Sequence, residues 1–197
     1  MKKYVLFAAC AVLAGMLAGN AQADDLRGRL AVTGRVGVTN PANSEKELPG
    51  VGTLVVKTDA GFIGGGGFLF GVDDNVAMEL DITRSVFHTS GFGDANVTNL
   101  SIGGQYRFPE RQRVVPYVGA GLDVLINDLP HNATDTVLGV HVAAGLDYLL
   151  QRQVALNFEL KGVEGFNSDV KDFTGGKIGE FDPSNFSATV GVRFFFN

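Results

Sequence analysis

The sequence predicts an all-β protein: an eight-stranded antiparallel up-and-down β-barrel that crosses a membrane. Three observations carry this. Eight stretches place apolar residues at every second position, the connectors between them alternate short and long, and aromatic residues collect at one end of every other stretch. From Val76 to Val86 the even positions read Val76, Met78, Leu80, Ile82, Arg84 and Val86, and the odd ones Ala77, Glu79, Asp81, Thr83 and Ser85. A period of two sends these sets to opposite faces of a strand. A soluble barrel would keep the apolar set inside. The odd set carries many charges and the even set too little bulk to fill a core, so the apolar parity is assigned to lipid.

The N-terminus is read separately from the barrel. Lys2 and Lys3 precede an apolar run from Tyr4 to Leu17, and Ala21-Gln22-Ala23 supplies a small-x-small site before Asp24. This is the pattern of a secretory signal cleaved after Ala23. The run is too short for a spanning helix, which takes about 20 apolar residues. The division is therefore residues 1–23 as signal and 24–197 as a barrel domain. The single cysteine, Cys10, falls in the signal, and a lipoprotein cut before it would leave too short an export core. The formal charge of −5 becomes more negative once Lys2 and Lys3 are removed, which argues against a nucleic-acid partner. No later apolar run is long enough for a spanning helix, and only a closed barrel satisfies every strand backbone group in lipid.

The strands are placed at Leu26 to Val38, Ala60 to Gly71, Val76 to Val86, Val97 to Phe108, Val114 to Asn127, Thr136 to Leu149, Val154 to Val163 and Phe186 to Phe196. Each can cross a thin bilayer when tilted, which takes about 9–11 residues. Connectors after the second, fourth and sixth are short and the others longer and polar, which puts both chain ends and the tight turns on the periplasmic side. Phe68, Phe70, Tyr106, Phe108, Tyr148, Phe194 and Phe196 then gather at the periplasmic boundary as an interfacial girdle. Phe62, Phe166 and Phe186 are candidates at the opposite boundary.

Odd positions line the lumen and sort by height. Arg27, Arg29, Glu79, Asp81, Arg107, Asp147, Glu159 and Arg193 fall near the periplasmic end, a balanced set expected to pair and close the floor. Ile63, Phe87, Val97, Leu125, Val137 and Val163 fall toward the outer end. Such an apolar mouth is either a pocket for a hydrophobic molecule or packing beneath folded loops. An eight-stranded barrel holds only side chains or one small ligand, which excludes bulk diffusion. Gly64 to Gly67 lacks the Lys-Ser/Thr ending of a phosphate loop and is assigned to curvature and close strand contact, and Pro116 to a strand start.

In order along the chain, Gly34-Arg35-Val36-Gly37-Val38-Thr39-Asn40-Pro41, Pro116-Tyr117-Val118-Gly119-Ala120-Gly121-Leu122, Ala144-Gly145-Leu146-Asp147-Tyr148 and Asp182-Pro183 resemble the OmpW family of small outer-membrane barrels. More loosely, the chain resembles other opacity-type eight-stranded barrels. The resemblance implies an outer-membrane location and passage of small hydrophobic molecules through a narrow apolar channel, with lateral release into the membrane as one route. It also implies outer-membrane lipid and lipopolysaccharide as neighbours, and recognition of the C-terminal strand by assembly machinery. Such barrels usually end on an aromatic residue, whereas this chain ends Phe194-Phe195-Phe196-Asn197, with the aromatic penultimate.

Two other function classes are weighed. A structural or adhesive barrel would act through its extracellular loops. A lipid hydrolase would use His88 as base for Ser90, with Asp94 as the nearest acid, but Gly91 and Gly93 mark a loop there. His141 points into the lumen within reach of Asp123 and lacks a third metal ligand, so a hydrogen-bonded histidine is expected and no metal. His131 with Asp128 and Asp135, and Asp169, Asp172, Glu180 and Asp182 in the last loop, read as solvated. Divalent bridging to lipopolysaccharide is the functional alternative for that last group. No cofactor motif is present, and the chain is expected not to be an enzyme.

Overall fold

The computed structural model describes residues 26–41, 44–48, 52–56, 60–89, 93–109, 113–129, 133–166, 168–171, 177–181 and 184–196; at residues 44–48, 52–56, 87–89, 93–95, 127–129, 133–135, 168–171 and 177–181 the backbone alone is described. Twelve strands form among them: β1 Leu30–Pro41, β2 Ser44–Leu48, β3 Gly52–Val56, β4 Gly61–Gly71, β5 Val76–Thr89, β6 Gly93–Arg107, β7 Val114–Leu129, β8 Ala133–Gln151, β9 Val154–Gly165, β10 Ser168–Lys171, β11 Lys177–Phe181 and β12 Asn185–Phe196. Eight of them close in the order β1-β12-β9-β8-β7-β6-β5-β4, every neighbour antiparallel. The expected signal and cleavage site lie outside the described residues.

Alternation holds around the whole wall. Val32, Val36, Phe68, Leu80, Ile82, Ile102, Leu122, Val142, Phe158 and Val192 face out, while Thr33, Arg35, Asp81, Ser101, Gln105, Asp123, Asp147, Glu159 and Arg193 are buried inside. Val86 pairs in turn through Phe62, Val38, Ala188, Leu160, Ala144, Val118 and Tyr106 to Val76, so one circuit of the wall returns ten residues lower on β5. That stagger is the shear that tilts the strands, and eight strands leave an interior filled by side chains.

Three departures from the sequence reading stand out. Strand β1 begins at Leu30 rather than at Leu26, because Gly28 adopts φ 76° and turns the chain, its N–H donating to Gly71 O at 2.8 Å. Second, the connectors expected to be long after β5 and β7 are mostly ladder. Pairing runs up to Thr89 opposite Gly93 and Leu129 opposite Ala133, since an antiparallel pair satisfies its own backbone above the bilayer. Third, the first and last long connectors carry hairpins of their own, β2 with β3 and β10 with β11.

Candidate functional site

The lumen is built in four layers from the short-turn end to the loop end. At the bottom, Leu26 folds beneath the barrel through the Gly28 turn and packs with Ala31, Leu69, Ala77, Ala155 and Phe195 as an apolar seal, with Leu149 beside it. The Arg29 guanidinium lies 4.9 Å above the Phe195 ring and donates to Arg152 O at 2.8 Å. A cavity of about 40 Å³ remains beside the seal, room for water and not for a solute.

Above the seal lies an ion-paired network from six strands. Asp147 accepts from Arg107 at 2.5 Å and Arg193 at 2.7 Å, and Arg193 Nε donates to Thr33 at 2.8 Å. Arg35 donates to Glu159 at 2.5 Å, Glu79 at 2.9 Å and Asp81 at 3.1 Å. The two halves are joined by Arg193, which also reaches Glu79 at 3.4 Å, and by uncharged groups. Tyr117 donates its hydroxyl to Glu159 at 2.8 Å, and Asn157 donates both to that hydroxyl at 2.8 Å and to Asp147 at 2.7 Å. Gln105 donates to Glu79 at 2.5 Å. Arg107 and Arg193 also lie over the Tyr117 ring, 5.5 Å and 5.4 Å from its centroid. Buried charges are tolerated only when paired and hydrogen-bonded in this way.

Inward-facing glycines make room for these side chains. A Cβ on Gly145 would stand 2.5 Å from the Tyr117 hydroxyl, and one on Gly121 would stand 2.6 Å from His141 Cε1. Space inside a narrow barrel is fixed, so the largest polar side chains sit opposite positions that have none.

The third layer is smaller. His141 Nδ1 is 2.6 Å from Asp123, whose other oxygen accepts from Asn99 at 2.8 Å, and Lys161 donates to Ser101 at 2.8 Å and lies 3.4 Å from Asp123. The fourth layer is the cluster of Leu125, Val137 and Val163 with Val97 against it. Ile63 is buried on the facing part of the wall. Other inward positions at this end carry hydroxyls, Thr39, Thr83, Ser85, Ser187 and Thr189, so the mouth is apolar on β7, β8 and β9 and hydroxyl-lined on β1, β5 and β12.

Of the residues expected in the floor, Glu79, Asp81, Arg107, Asp147, Glu159 and Arg193 meet in one network, and Arg27 and Arg29 do not. Arg27 lies outside the barrel with its side chain 63% exposed, donating to Asp73; that bond and the Asp74 N–H hold the Asp73 carboxyl below its ordinary value. The reason is the Gly28 turn, which ends the strand before Arg27 reaches the wall. Arg35 takes the expected place of a floor cation. Tyr117, Asn157, Gln105 and Lys161 were likewise not assigned to the lumen from the sequence, although each occupies an odd, inward position on its strand. The Phe87 and His88 side chains lie outside the described residues, as do Ser90 and His131. The His88 backbone pairs with that of Asp94. Among the described residues no group of three or more His, Cys, Asp or Glu is arranged to hold a metal.

On the outer wall, Phe68, Phe70, Tyr106, Tyr148, Phe194 and Phe196 are exposed near the short-turn end, and Phe108 is half-buried beside them. Tyr106 meets Phe108 edge to face at 5.1 Å, and Phe194 meets Phe196 at 5.0 Å. Phe62, Phe166 and Phe186 face out at the other end.

Residues 8–194 match the family described as outer membrane protein beta-barrel domain. No curated protein matches the sequence. Among solved structures, the chain is similar to the outer membrane protein OprG from Pseudomonas aeruginosa, at 16% identity over 90% of this chain and 100% of that one, with a TM-score of 0.69. Neisserial surface protein A is similar at 17% identity, 86% and 100% coverage and a TM-score of 0.64. AlkL, solved in DMPC bilayers, is similar at 15% identity, 91% and 95% coverage and a TM-score of 0.59. These likenesses establish a shared barrel fold, which agrees with the OmpW-type resemblance of the sequence.

Proposed function

We propose that this chain, which belongs to the outer membrane protein beta-barrel domain family and resides in the outer membrane, takes up small hydrophobic molecules through a pocket at its outer mouth. The observation that carries the reading is the apolar cluster of Leu125, Val137, Val163 and Val97 at the loop end, above a lumen packed with paired charges. A water-filled pore would place polar groups at that level on every strand. The apolar wall and the facing hydroxyls suit a solute that is largely hydrocarbon with one polar end. Straight passage is barred by the network and the seal, so a captured solute leaves by displacing them or through the wall. Uptake of an apolar solute into liposomes holding the refolded protein tests this: it is expected to fall to background in Leu125→Arg and Val137→Arg. Equal uptake in wild type and both variants sinks the reading.

A second reading is supported by the hairpins β2–β3 and β10–β11, which extend two connectors at the same end of the barrel. Built loops of that kind suit a partner outside the cell. Absence of uptake and of conductance in a correctly folded protein, with cell binding lost on deletion of both hairpins, decides for an adhesive role.

A further inference from the structure

The outer wall carries a depression of about 460 Å³ where β1, β12 and β9 meet, lined by outward Val36, Val190, Val192, Leu156 and Phe158 over Gly34. A Cβ on Gly34 would meet nothing within 4 Å, so the space is real room above the backbone. One charged group lies on the same row of the wall, beyond the Phe62 ring that packs over Gly64. Val36 pairs with Gly64 and Gly64 with Arg84, which places the Arg84 backbone two strands from the pocket, roughly 10 Å away at about 4.8 Å per strand.

Arg84 faces outward and is exposed, and no ion pair or hydrogen bond among the described residues engages its guanidinium. Thr98, directly across on β6, puts a hydroxyl beside it. A lone cation on a lipid-facing wall is costly at mid-membrane and tolerated near headgroup level, which fits its position eight residues above the start of β5. The stagger of the wall supplies the direction. A paired row leaving Arg84 through Gly64, Val36 and Val190 to Phe158 descends toward the short-turn end, as a lipid chain descends from its headgroup.

We propose that Arg84 and this depression form a binding site for one lipid A molecule of the outer leaflet. A phosphate pairs with the Arg84 guanidinium, and an acyl chain passes over the Phe62 ring that covers Gly64 and fills the space over Gly34. Charge complementarity selects the occupant: a cation at the headgroup level of the loop end faces the leaflet that carries the phosphorylated, multiply acylated lipid. The inference requires only that the barrel spans the membrane and is independent of any solute in the lumen.

The full-length protein, refolded in phosphatidylcholine vesicles containing a minority of lipid A, is transferred to mild detergent and the retained lipid counted by native mass spectrometry. Wild type is expected to keep one lipid A per barrel, with about tenfold less in Arg84→Gln and in Gly34→Phe, whose ring fills the depression. Gly104→Phe, which places the same ring at another outward glycine with open space around it, is expected to retain lipid as wild type does. Heat-modifiable migration confirms the fold of each variant. Lipid A lacking its phosphates is expected to be lost from wild type. Equal retention by Arg84→Gln and wild type, or equal retention of phosphatidylglycerol and lipid A, overturns the proposal.

Discussion

The two ends of the lumen are made of opposite chemistry within one continuous wall. Near the turns, three guanidiniums and four carboxylates share the interior with Tyr117 and Asn157, and every guanidinium donates to at least one carboxylate, although Arg35 Nε is buried without a partner among the described residues. Near the loops, Leu125, Val137 and Val163 meet across three strands with only dispersion between them. The difference separates two tasks. Directional bonds fix one arrangement of the floor and resist its opening, whereas an apolar surface accepts partners of varied shape at small cost.

Removing a charge from the floor gives the largest effect. Asp147→Ala leaves Arg107 and Arg193 buried with their shared acceptor gone, an expected loss of about 3–5 kcal/mol by urea unfolding in vesicles. If the floor holds its shape through paired charge, Arg107→Met with Arg193→Met and Asp147→Leu costs less than Asp147→Ala alone. A larger loss in the triple variant breaks the contrast between floor and mouth. In the mouth, Leu125→Ala is expected to cost about 2–4 kcal/mol in the same assay, and a dry cavity there is expected to raise affinity for a small apolar probe. Tyr117→Phe removes one hydroxyl that both donates and accepts. About 1–3 kcal/mol is expected, together with opening events that appear as conductance steps in planar bilayers. Least is expected from the rim. Because Asp73 titrates below its ordinary value in the folded protein, its contribution is present above the unfolded carboxylate range and fades as pH falls through the lowered value. Asp73→Asn is expected to lower the melting temperature slightly at neutral pH and to leave it unchanged at a pH below the lowered value, so that the acid dependence flattens.

Much of this was legible from a period of two. Even-odd alternation assigned the faces of all eight barrel strands, because a barrel that separates lipid from a packed interior punishes any register slip at every residue. His141 and Asp123 were legible as neighbours because each sits inward at mid-height of adjoining strands. Parity could not say where a strand begins, and this is why Arg27 and Arg29 share the parity of Arg35 yet only Arg35 reaches the network. Gly28 was the available signal, a residue free to take the positive φ that ends the wall. Tyr117, Asn157 and Gln105 escaped notice for a different reason: an uncharged polar residue in a strand is ordinary, and only the surrounding ions make it a connector. The hairpins in the outer connectors follow from no strong alternation, and pairing there is set by the backbone.

The register of the closing seam bears on how the chain reaches the membrane. Leu30 pairs with Phe196 and Thr33 with Arg193, so the first strand of the wall is completed only by the last. Until β12 closes on β1, each keeps one long unpaired edge flanked by apolar side chains, the kind of edge that recruits other strands. Contacts of such sequence separation form slowly. The same seam that removes every free edge from the finished barrel therefore makes its precursor a sticky, slow-closing polymer that must be kept from its own kind during transit.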